Sequence, residues 1–399
     1  MILVPPLGEL EVSRSRNSGR KMRIVDLKYR EYEGDPREWS LERSELGPIN
    51  LFVGRNASGK SRTLSILHSF SRLIIGKFSS VLDNGLFEVT FEENDDRYYY
   101  LLDISSKIVN TEKLVRNNQI LLNRSSDGNG FIRAEELNID MRFKLQENDI
   151  AIFKKRDEIQ HPFLEGIHSW ANSVRFFQFG SELGRRNLHA RKLSEDGVTK
   201  DEDNSAVEYQ EKVVKTYIDG WEKFGEKFDQ AILADLERIG YPCSNIAASH
   251  FSQVQLPGAV PVILEVQERD LKAPTSQIFM SLGMYRSLAI LIHLNYAIFS
   301  KSVSCIIIDD IGEGLDFERS RKIIDVLIEK CEMGKIQLFM STNDRFVMNE
   351  VPINHWQIVE RTGSVVRLIN AFNSRDKFDE FQYYGLNNFD FFSTKAYSE

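Results

Sequence analysis

Cysteine and histidine are scarce in this 399-residue chain, and neither is arranged as a metal site would require. Structural and catalytic zinc sites need such ligands at close, regular spacings. The seven histidines show no pairing with each other or with cysteine, and the three cysteines are scattered singly as Cys243, Cys305 and Cys331. This pattern excludes a zinc-type enzyme and indicates reduced thiols in a cytosolic compartment.

Long apolar runs are also missing. No uncharged apolar stretch reaches the roughly 18 residues needed to cross a bilayer. The opening residues, MILVPPLGEL, lack the basic region of a secretory signal. The absence of a G-x-S-x-G motif excludes serine hydrolases of the esterase type. We therefore expect a cytoplasmic protein without a membrane segment.

Positive charge is in deficit, since 51 lysines and arginines face 59 aspartates and glutamates. The net charge of −8 excludes a uniformly basic surface, so any nucleic-acid contact must be local. What the chain does have is an ordinary globular composition, with 42% apolar residues. A chain of this length can bury a substantial core.

Strand-like and helix-like segments alternate along most of the chain, which predicts an α/β fold with a mainly parallel core sheet. Residues 86–104 instead alternate like an antiparallel hairpin, with its turn at residues 93–96. Residues 183–206 are charged and indicate a loop. The helical insert that follows has an apolar stripe, which we expect to pack in a core, at Tyr217, Trp221, Phe224, Phe228, Ile232 and Leu236.

A phosphate-binding loop is predicted at residues 54–61, GRNASGKS, which fit the pattern G-x-x-x-x-G-K-[ST]. An apolar strand precedes the loop and a helix follows it, so backbone N–H groups and a helix N-terminus converge on an anion. Lys60 would contact the β- and γ-phosphates, and Ser61 would supply a hydroxyl ligand to Mg²⁺. The residues predicted to line the phosphates are Gly54, Arg55, Asn56, Ala57, Ser58, Gly59, Lys60, Ser61 and Arg62.

Two further segments complete the predicted site. The sequence CIIIDDIGEGLD describes a buried strand whose carboxylates open on the nucleotide. Asp309 would hold the Mg²⁺ shell, and Asp310 would orient and deprotonate the attacking water. In MSLGMYRSLAIL, Ser281 and Gly283 open a helix and form a second anion site.

The order of these segments resembles that of the ABC-type ATPases. GRNASGKS, SLGMYR, IIIDDIGEGLD and FMSTND follow one another as the Walker A, signature, Walker B with D-loop, and switch motifs do. The asparagine at position 56 makes the loop resemble those of the SMC, RecF and OLD branch, which commonly read G-x-N-x-[SA]-G-K-[ST]. The section YYYLLDISSKIVNTEKLV looks like the β-lobe of small AAA-annotated ATPases of abortive-infection and phage-defence operons. The resemblance covers most of residues 22–370.

The resemblance implies an ABC-type P-loop fold whose heads dimerise on ATP, as a homodimer or a higher even oligomer. In such a dimer, Ser281 and Gly283 would touch the γ-phosphate bound by the partner copy. Asp316 would communicate across the interface. Gln178, in RFFQFG, is either the Q-loop residue that reaches Mg²⁺ or a plain glutamine at the edge of the core.

Two residues depart from the family pattern. Asp310 stands where the family usually has glutamate, and a side chain one methylene shorter misplaces the carboxylate by about 1 Å, which can cost on the order of 10²-fold in rate. Asn343 stands at the switch position, where histidine is usual, and asparagine cannot titrate near neutral pH. Both changes predict slow hydrolysis and a long-lived ATP state, which suits a switch.

The sequence leaves two functions open. The first is an ATP-dependent sensor that controls a separate effector protein in anti-phage defence. OLD-type nucleases carry a TOPRIM domain after the ATPase, whereas only about 55 residues follow Asp344 here. That aromatic-rich tail could dock on the head or on a partner. The second is a RecF- or SMC-like DNA-binding ATPase that uses the basic clusters at residues 154–156 and 185–192.

We expect four regions along the chain. Residues 1–21 are polar and form an extension. Residues 22–182 form the N-terminal ATPase half with the antiparallel β-lobe. Residues 183–250 contain the charged loop and the helical insert. Residues 251–399 form the C-terminal ATPase half with the signature, Walker B, D-loop, switch and tail.

Overall fold

The computed structural model describes residues 22–77, 83–193, 199–201, 212–302, 305–381 and 387–397. The predicted extension at residues 1–21 lies outside these ranges. In chain order, the strands are β1 (Arg23–Glu31), β2 (Trp39–Glu45), β3 (Ile49–Val53), β4 (Asn84–Glu93), β5 (Asp96–Ser105), β6 (Ile108–Arg116), β7 (Gln119–Ser125), β8 (Asn129–Ala134), β9 (Ile139–Lys144), β10 (Val174–Gln178), β11 (His189–Leu193), β12 (Thr199–Asp201), β13 (Cys243–His250), β14 (Ala259–Glu268), β15 (Thr275–Ser276), β16 (Cys305–Asp309), β17 (Gln337–Ser341), β18 (Trp356–Thr362) and β19 (Val365–Ile369).

The helices surround these strands. They are α1 (Lys60–Ile74), α2 (Ala151–Lys154), α3 (Phe163–Ser173), α4 (Val213–Phe224), α5 (Glu226–Ile239), α6 (Leu282–Ser300), α7 (Phe317–Gly334), α8 (Arg345–Glu350), α9 (Arg375–Phe381) and α10 (Asn388–Ser393).

One sheet of fourteen strands runs through the molecule, in the order β10-β16-β17-β3-β18-β19-β2-β1-β4-β5-β6-β7-β8-β9. The first five strands are parallel to one another, and β18 is antiparallel to the next strand, β19. From β1 to β9 the sheet is an antiparallel meander, which includes the predicted hairpin β4–β5. The predictions of a parallel core and of an antiparallel lobe are confirmed, and the two share one continuous sheet.

Both faces of the parallel strands are buried, which explains why their sequences read as unbroken apolar runs. Successive side chains of a strand point to opposite faces. Phe52, Ile307 and Phe339 pack with α1 in one core cluster. Leu51, Ile308 and Met340 pack with α6 and α7 in the other. This double burial fixes the carboxyl ends of β3, β16 and β17 at a common edge.

A second, antiparallel sheet has the order β12-β11-β14-β13, with β15 also paired to β14. The prediction of a loop at residues 183–206 is wrong for β11, which pairs with residues 259–262 of β14, and for β12, which pairs with β11. Residues 194–198 and 202–206 of that prediction lie outside the described part of the chain. The charged sequence HARKL gives little local signal, because its pairing depends on a partner about 70 residues away in the chain.

The helical insert consists of two helices with a break at Gly225, whose φ of 62° is in the left-handed region that glycine favours. Each helix therefore buries its own face. Phe228, Ile232 and Leu236 are fully buried as predicted, whereas Trp221 is 51% exposed. The expectation that Trp221 belongs to the core is wrong, because the break at Gly225 removes the single periodicity on which it rested.

Helix α6 is long and apolar. By length and composition it could cross a bilayer, although no such segment was predicted. However, 78% of that stretch is buried inside the fold, against the second sheet and the other helices of its core cluster. An apolar surface on all sides is typical of such a central core helix.

The C-terminal tail docks on the head itself, which was one of the two possibilities left open. Phe391 is fully buried, with ring centroids 4.8 Å from Phe378 and 4.7 Å from Phe381. The Asn349 Oδ1 accepts a hydrogen bond from the Phe389 backbone N–H at 2.8 Å. Because Asn349 belongs to α8, the tail packs against the helix that directly follows the switch segment.

Candidate nucleotide site

The predicted phosphate-binding loop lies between β3 and α1, at the carboxyl edge of the parallel strands. Gly59 has a φ of 109°, which other residues rarely adopt. A Cβ atom on Gly54 would lie 2.7 Å from the Ser58 Oγ and 2.8 Å from the Val359 carbonyl oxygen. Both glycines are therefore required by the backbone path. Ala57 also has a positive φ, of 62°.

Lys60 is folded back into the loop and only 5% exposed. Its Nζ donates hydrogen bonds to the carbonyl oxygens of Gly54 at 2.8 Å and Arg55 at 3.2 Å. Burial lowers the pKa of Lys60, while the nearby charges of Asp310 and Asp309 oppose that effect. The predicted cation and both predicted carboxylates are thus within electrostatic reach of one another.

The remaining residues of the loop differ in how far their side chains are exposed to solvent. Arg55, Asn56 and Ala57 are exposed, and so is Ser61 in the first turn of α1. The Arg62 side chain forms an ion pair with Glu31 and lies 4.7 Å from the centre of the Trp39 ring. Its guanidinium is therefore held against the β1–β2 hairpin, so a phosphate contact from Arg62 would come from its backbone.

The two carboxylates follow β16 and are held by a residue that the sequence analysis missed. The Ser341 Oγ, at the end of β17, donates to the Asp309 Oδ1 and accepts the Asp310 backbone N–H at 2.9 Å. Asp310 has a φ of 57°, uncommon for a residue other than glycine. Burial raises the pKa of Asp310, and the charges of Asp309 and Glu313 raise it further against the effect of Lys60. A raised pKa suits a carboxylate that accepts a proton.

Gln178 ends β10, the strand next to β16, and lies directly opposite Asp309 in the parallel register. The backbone N–H of the following residue, Phe179, donates to the Asp309 carbonyl oxygen at 2.9 Å. The Gln178 side chain is exposed at the same edge of the sheet. This placement favours the Q-loop interpretation over a packed core position.

The signature segment is built against the D-loop of its own chain. Ser281 caps α6 and accepts the Met284 N–H at 3.3 Å. A Cβ on Gly283 would lie 2.6 Å from the Gly314 carbonyl oxygen, so only glycine allows this approach. Asp316 caps α7, accepting the Arg319 N–H at 3.0 Å. Ser281 and Asp316 are both exposed.

Arg286 joins three of these segments, and the sequence analysis missed it. Its guanidinium donates to the carbonyl oxygens of Gly180 and Ser181, which follow Gln178, and to that of Glu313 in the D-loop at 2.8 Å. Burial lowers the pKa of Arg286, with the acidic side chains nearby opposing that effect. The invariant charge of arginine and its fork of donors suit such a three-carbonyl site.

The switch residue Asn343 is exposed in the segment between β17 and α8. Its neighbours are tightly held. The Thr342 Oγ1 donates to the Ile311 carbonyl oxygen at 3.1 Å, and Asp344 caps α8 by accepting the Phe346 N–H at 2.8 Å. The segment therefore presents Asn343 from a rigid support beside Ile311, which follows Asp310.

Outside the phosphate loop lies an open cavity of about 500 Å³, lined by residues 55–58, the β18–β19 hairpin, Lys395 and Tyr397. Burial and the neighbouring Glu360 carboxylate raise the pKa of Tyr397 to about 12, while Arg55 opposes this rise. The C-terminal tail thus reaches the outer face of the phosphate loop as well as α8.

The oxygen donors present suit Mg²⁺, which prefers hydroxyl, carboxylate and phosphate oxygens completed by water. Ser61, Asp309 and Gln178 would supply the ligands from the protein side. Within the described ranges no group of three or more His, Cys, Asp or Glu residues could hold a metal ion by itself. A metal here would therefore depend on the phosphates for part of its shell.

The basic clusters considered for DNA binding are largely engaged in contacts within the chain. The Arg156 guanidinium binds the Glu165 carboxylate at 2.6 Å. Arg185 donates to the Met280 carbonyl oxygen at 3.0 Å, and Arg191 pairs with Glu222 at 3.1 Å. These contacts engage part of both clusters within the chain, so they do not by themselves favour the DNA-binding alternative.

A family model matches residues 49–349, about three quarters of the chain. It is described as "AAA domain, putative AbiEii toxin, Type IV TA system". The matched range extends from the first residue of β3 to within α8, so it contains every predicted site residue. No curated protein matches the chain.

Three solved structures of SMC heads resemble the fold. An SMC head bound to the C-terminal winged-helix domain of ScpA has a TM-score of 0.49 and 11% identity, covering 87% of this chain and 96% of that one. An SMC head with an extended coiled coil, bound to the C-terminal domain of ScpA derived from Pyrococcus furiosus, gives 0.46 and 10%, with coverage of 90% and 100%. The SMC head of Thermotoga maritima gives 0.43 and 12%, with coverage of 87% and 98%. At this level of similarity nothing follows about ligands or partners.

Proposed function

This chain belongs to the family described as "AAA domain, putative AbiEii toxin, Type IV TA system", and we propose that it acts as an ATP-driven switch controlling a partner effector in anti-phage defence. The family is one of AAA domains, and the order of the sequence motifs supports an ATPase of ABC type. The finer proposal concerns how ATP is used, and where the effector chemistry resides.

The observation that carries the proposal is the placement of Lys60, which follows the β3 loop, at the same carboxyl edge of the parallel sheet as Asp309 and Asp310, which lie at the end of β16. Side chains from two distant parts of the sequence meet at one edge of the sheet, beside a loop whose backbone N–H groups suit phosphate. On binding, the triphosphate would replace the Gly54 and Arg55 carbonyl oxygens as partners of the Lys60 ammonium. Mg²⁺, when bound, would neutralise phosphate charge with Ser61, Asp309 and Gln178 as its protein ligands.

Asp310 would accept the proton of the attacking water. Its raised pKa makes it a better base than an ordinary aspartate, while the charge of Lys60 favours its ionised form. Asn343 would donate a hydrogen bond to the γ-phosphate. Because the Asp310 side chain is short and Asn343 cannot carry a charge, hydrolysis would be slow and the ATP state long-lived.

A second copy of the chain would complete each site. Gly283 packs against the D-loop of its own chain, and Ser281 and Asp316 are exposed. This arrangement supports a role for Ser281 and Gly283 at the γ-phosphate held by the partner, with Asp316 crossing the same interface. The active assembly would then contain an even number of heads.

The effector is proposed to be a separate protein in the same cytoplasm. The family's description connects it with toxin–antitoxin systems, in which two components act on each other. ATP-dependent closure would change the surface offered to that second component, and hydrolysis would reset it. Nuclease activity of the purified chain towards DNA or RNA, without any partner, would contradict this division of labour.

The proposal is tested by comparing Asp310→Asn with Lys60→Ala. Asp310→Asn should lower ATP turnover by about 10²-fold or more, because it removes the base. It should nevertheless double the mass of the assembly when ATP and Mg²⁺ are added, as measured by sedimentation. Lys60→Ala should lose both turnover and doubling. Wild-type turnover in Asp310→Asn would remove Asp310 from the base role, and a mass unaffected by ATP would refute the switch.

A further inference from the structure

Strand β9 is the last strand of the fourteen-stranded sheet. One of its edges pairs with β8, from Asn129 opposite Lys144 to Ala134 opposite Ile139. In the described part of the chain, no strand pairs with its other edge. An open edge presents a row of unused backbone N–H and C=O groups, which is a template for another strand.

The apolar face of the lobe continues uncovered to this edge. Met141 lies opposite Ile132, which is 2% exposed, and Ile139 lies opposite Ala134, which is fully buried. Residues opposite each other in a sheet share a face. Yet Ile139 is 51% exposed and Met141 is 37% exposed. The core side of the sheet therefore extends one strand further than the elements that cover it.

On the other face of β9, the charged side chains are arranged so that two copies of the strand can complement each other. Asp140 and Arg142 are separated by one residue and are both exposed. The Asp140 carboxylate also pairs with Arg133 of β8 at 3.2 Å, while 52% of its side chain stays exposed. If two copies of β9 pair antiparallel about a two-fold axis at Met141, each Asp140 lies opposite the Arg142 of the other copy. The same register places each Ile139 opposite a Phe143. A two-fold axis at Asp140 would instead oppose two carboxylates, and one at Arg142 two guanidinium groups.

We propose that β9 is an interface with a second copy of this chain, which joins two β-lobes into one continuous sheet without ATP. The contact is isologous, since each copy contributes the same strand. It pairs the open edge, covers Ile139 and Met141, and places each Arg142 opposite an Asp140 of the other copy. This interface is separate from the nucleotide site, so its existence does not depend on the proposed ATP-dependent closure.

Charge reversal tests the interface by a pattern that few other effects would produce. Without nucleotide, sedimentation of the wild-type chain should show a dimer. Asp140→Arg and Arg142→Asp should each raise the dissociation constant at least tenfold, because like charges then oppose each other. An equimolar mixture of the two variants should form dimers again, and so should the double variant. Glu136→Arg, in the turn before β9, is the matched control and should leave the dimer unchanged.

A cross-link tests the register. Opposite residues of an antiparallel pair have Cα atoms about 4.5–5.5 Å apart, a distance that a disulfide can span. Met141→Cys should therefore form an intermolecular disulfide on mild oxidation, and Glu136→Cys should not. The three native cysteines are buried and should not interfere. A monomer at all concentrations, or a dimer indifferent to both charge reversals, would overturn the proposal and leave the edge to another occupant, such as residues 1–21.

The Lys60→Ala background separates the two assemblies. In that background ATP closure is absent, so any nucleotide-free dimer and its response to Asp140→Arg report on β9 alone. If the wild-type chain forms no dimer without nucleotide but its mass still doubles when ATP is added, only the β9 inference is overturned. If the wild-type chain forms the nucleotide-free dimer but its mass does not double when ATP is added, only the proposed switch is refuted.

Discussion

The Ser341 hydroxyl donates a hydrogen bond to the Asp309 carboxylate, across two neighbouring parallel strands. The same oxygen accepts the backbone N–H of Asp310, whose φ of 57° turns its side chain away from the strand direction. One buried hydroxyl thus positions a proposed metal ligand and a proposed base together. Its placement at the end of β17 also connects both carboxylates to the switch segment, which begins at the next residue.

Ser341→Ala is expected to lower kcat for ATP roughly tenfold with little change in KM, because a hydrogen bond to a charged group contributes about 1.5–3 kcal/mol. Steady-state ATPase kinetics measure this. Ser341→Thr, which keeps the hydroxyl, should restore part of kcat. Ser320→Ala is the control, since Ser320 is equally buried but its hydroxyl has no hydrogen-bond partner within the described residues. An unchanged kcat in Ser341→Ala would refute the positioning role.

The acid limb of the pH profile should report Asp310. As a base, Asp310 must be ionised, so kcat falls as the pH drops through its raised pKa. Glu313→Gln removes one of the negative charges that raise this pKa, so the acid limb should move to lower pH. Glu318→Gln, in which the lost charge faces Arg321 and Lys322, should leave the limb in place. A limb that moves to higher pH in Glu313→Gln would contradict the assignment.

The β-lobe is expected to depend on a buried ionic network. The Glu112 carboxylate is fully buried and accepts the N–H groups of Ala151 and Ile152 and the Tyr100 hydroxyl. The Arg124 guanidinium lies 3.8 Å away with its side chain fully buried. Because removing one partner leaves an unpaired buried charge, Glu112→Ala should lower the free energy of unfolding by about 3–5 kcal/mol.

Urea denaturation measures that loss, with Tyr100→Phe as the matched control. The control removes one hydrogen bond and should cost about 1 kcal/mol. A change below 1 kcal/mol in Glu112→Ala would show that water or another partner replaces the network.

The features predicted correctly from the sequence are those written in contiguous residues. The loop at residues 54–61 contains its glycines, lysine and serine in one run, between a strand and a helix. The strand before Asp309 is continuously apolar because both of its faces are buried. The α6 N-cap at Ser281 was also predicted from its immediate neighbours. In each case the physical cause lies within one turn or one strand.

The features that were missed depend on contacts between distant residues. Ser341 and Arg286 look like ordinary polar residues until β17 meets β16 and α6 meets the D-loop. Strand β11 has no apolar alternation and is held by β14. Trp221 was misassigned because Gly225 divides one helical pattern into two. Nor does the pattern of β9 show that it ends the sheet, which depends on the order of all fourteen strands.

Mixing two inactive variants tests the central claim most directly. In the proposed dimer, Lys60 serves the nucleotide in its own chain and Ser281 serves the nucleotide of the partner. Lys60→Ala and Ser281→Arg chains should each hydrolyse almost no ATP alone. Their equimolar mixture should regain activity, since each mixed dimer contains one intact site. A mixture as inactive as its components would contradict the account, because each site would then be built from a single chain.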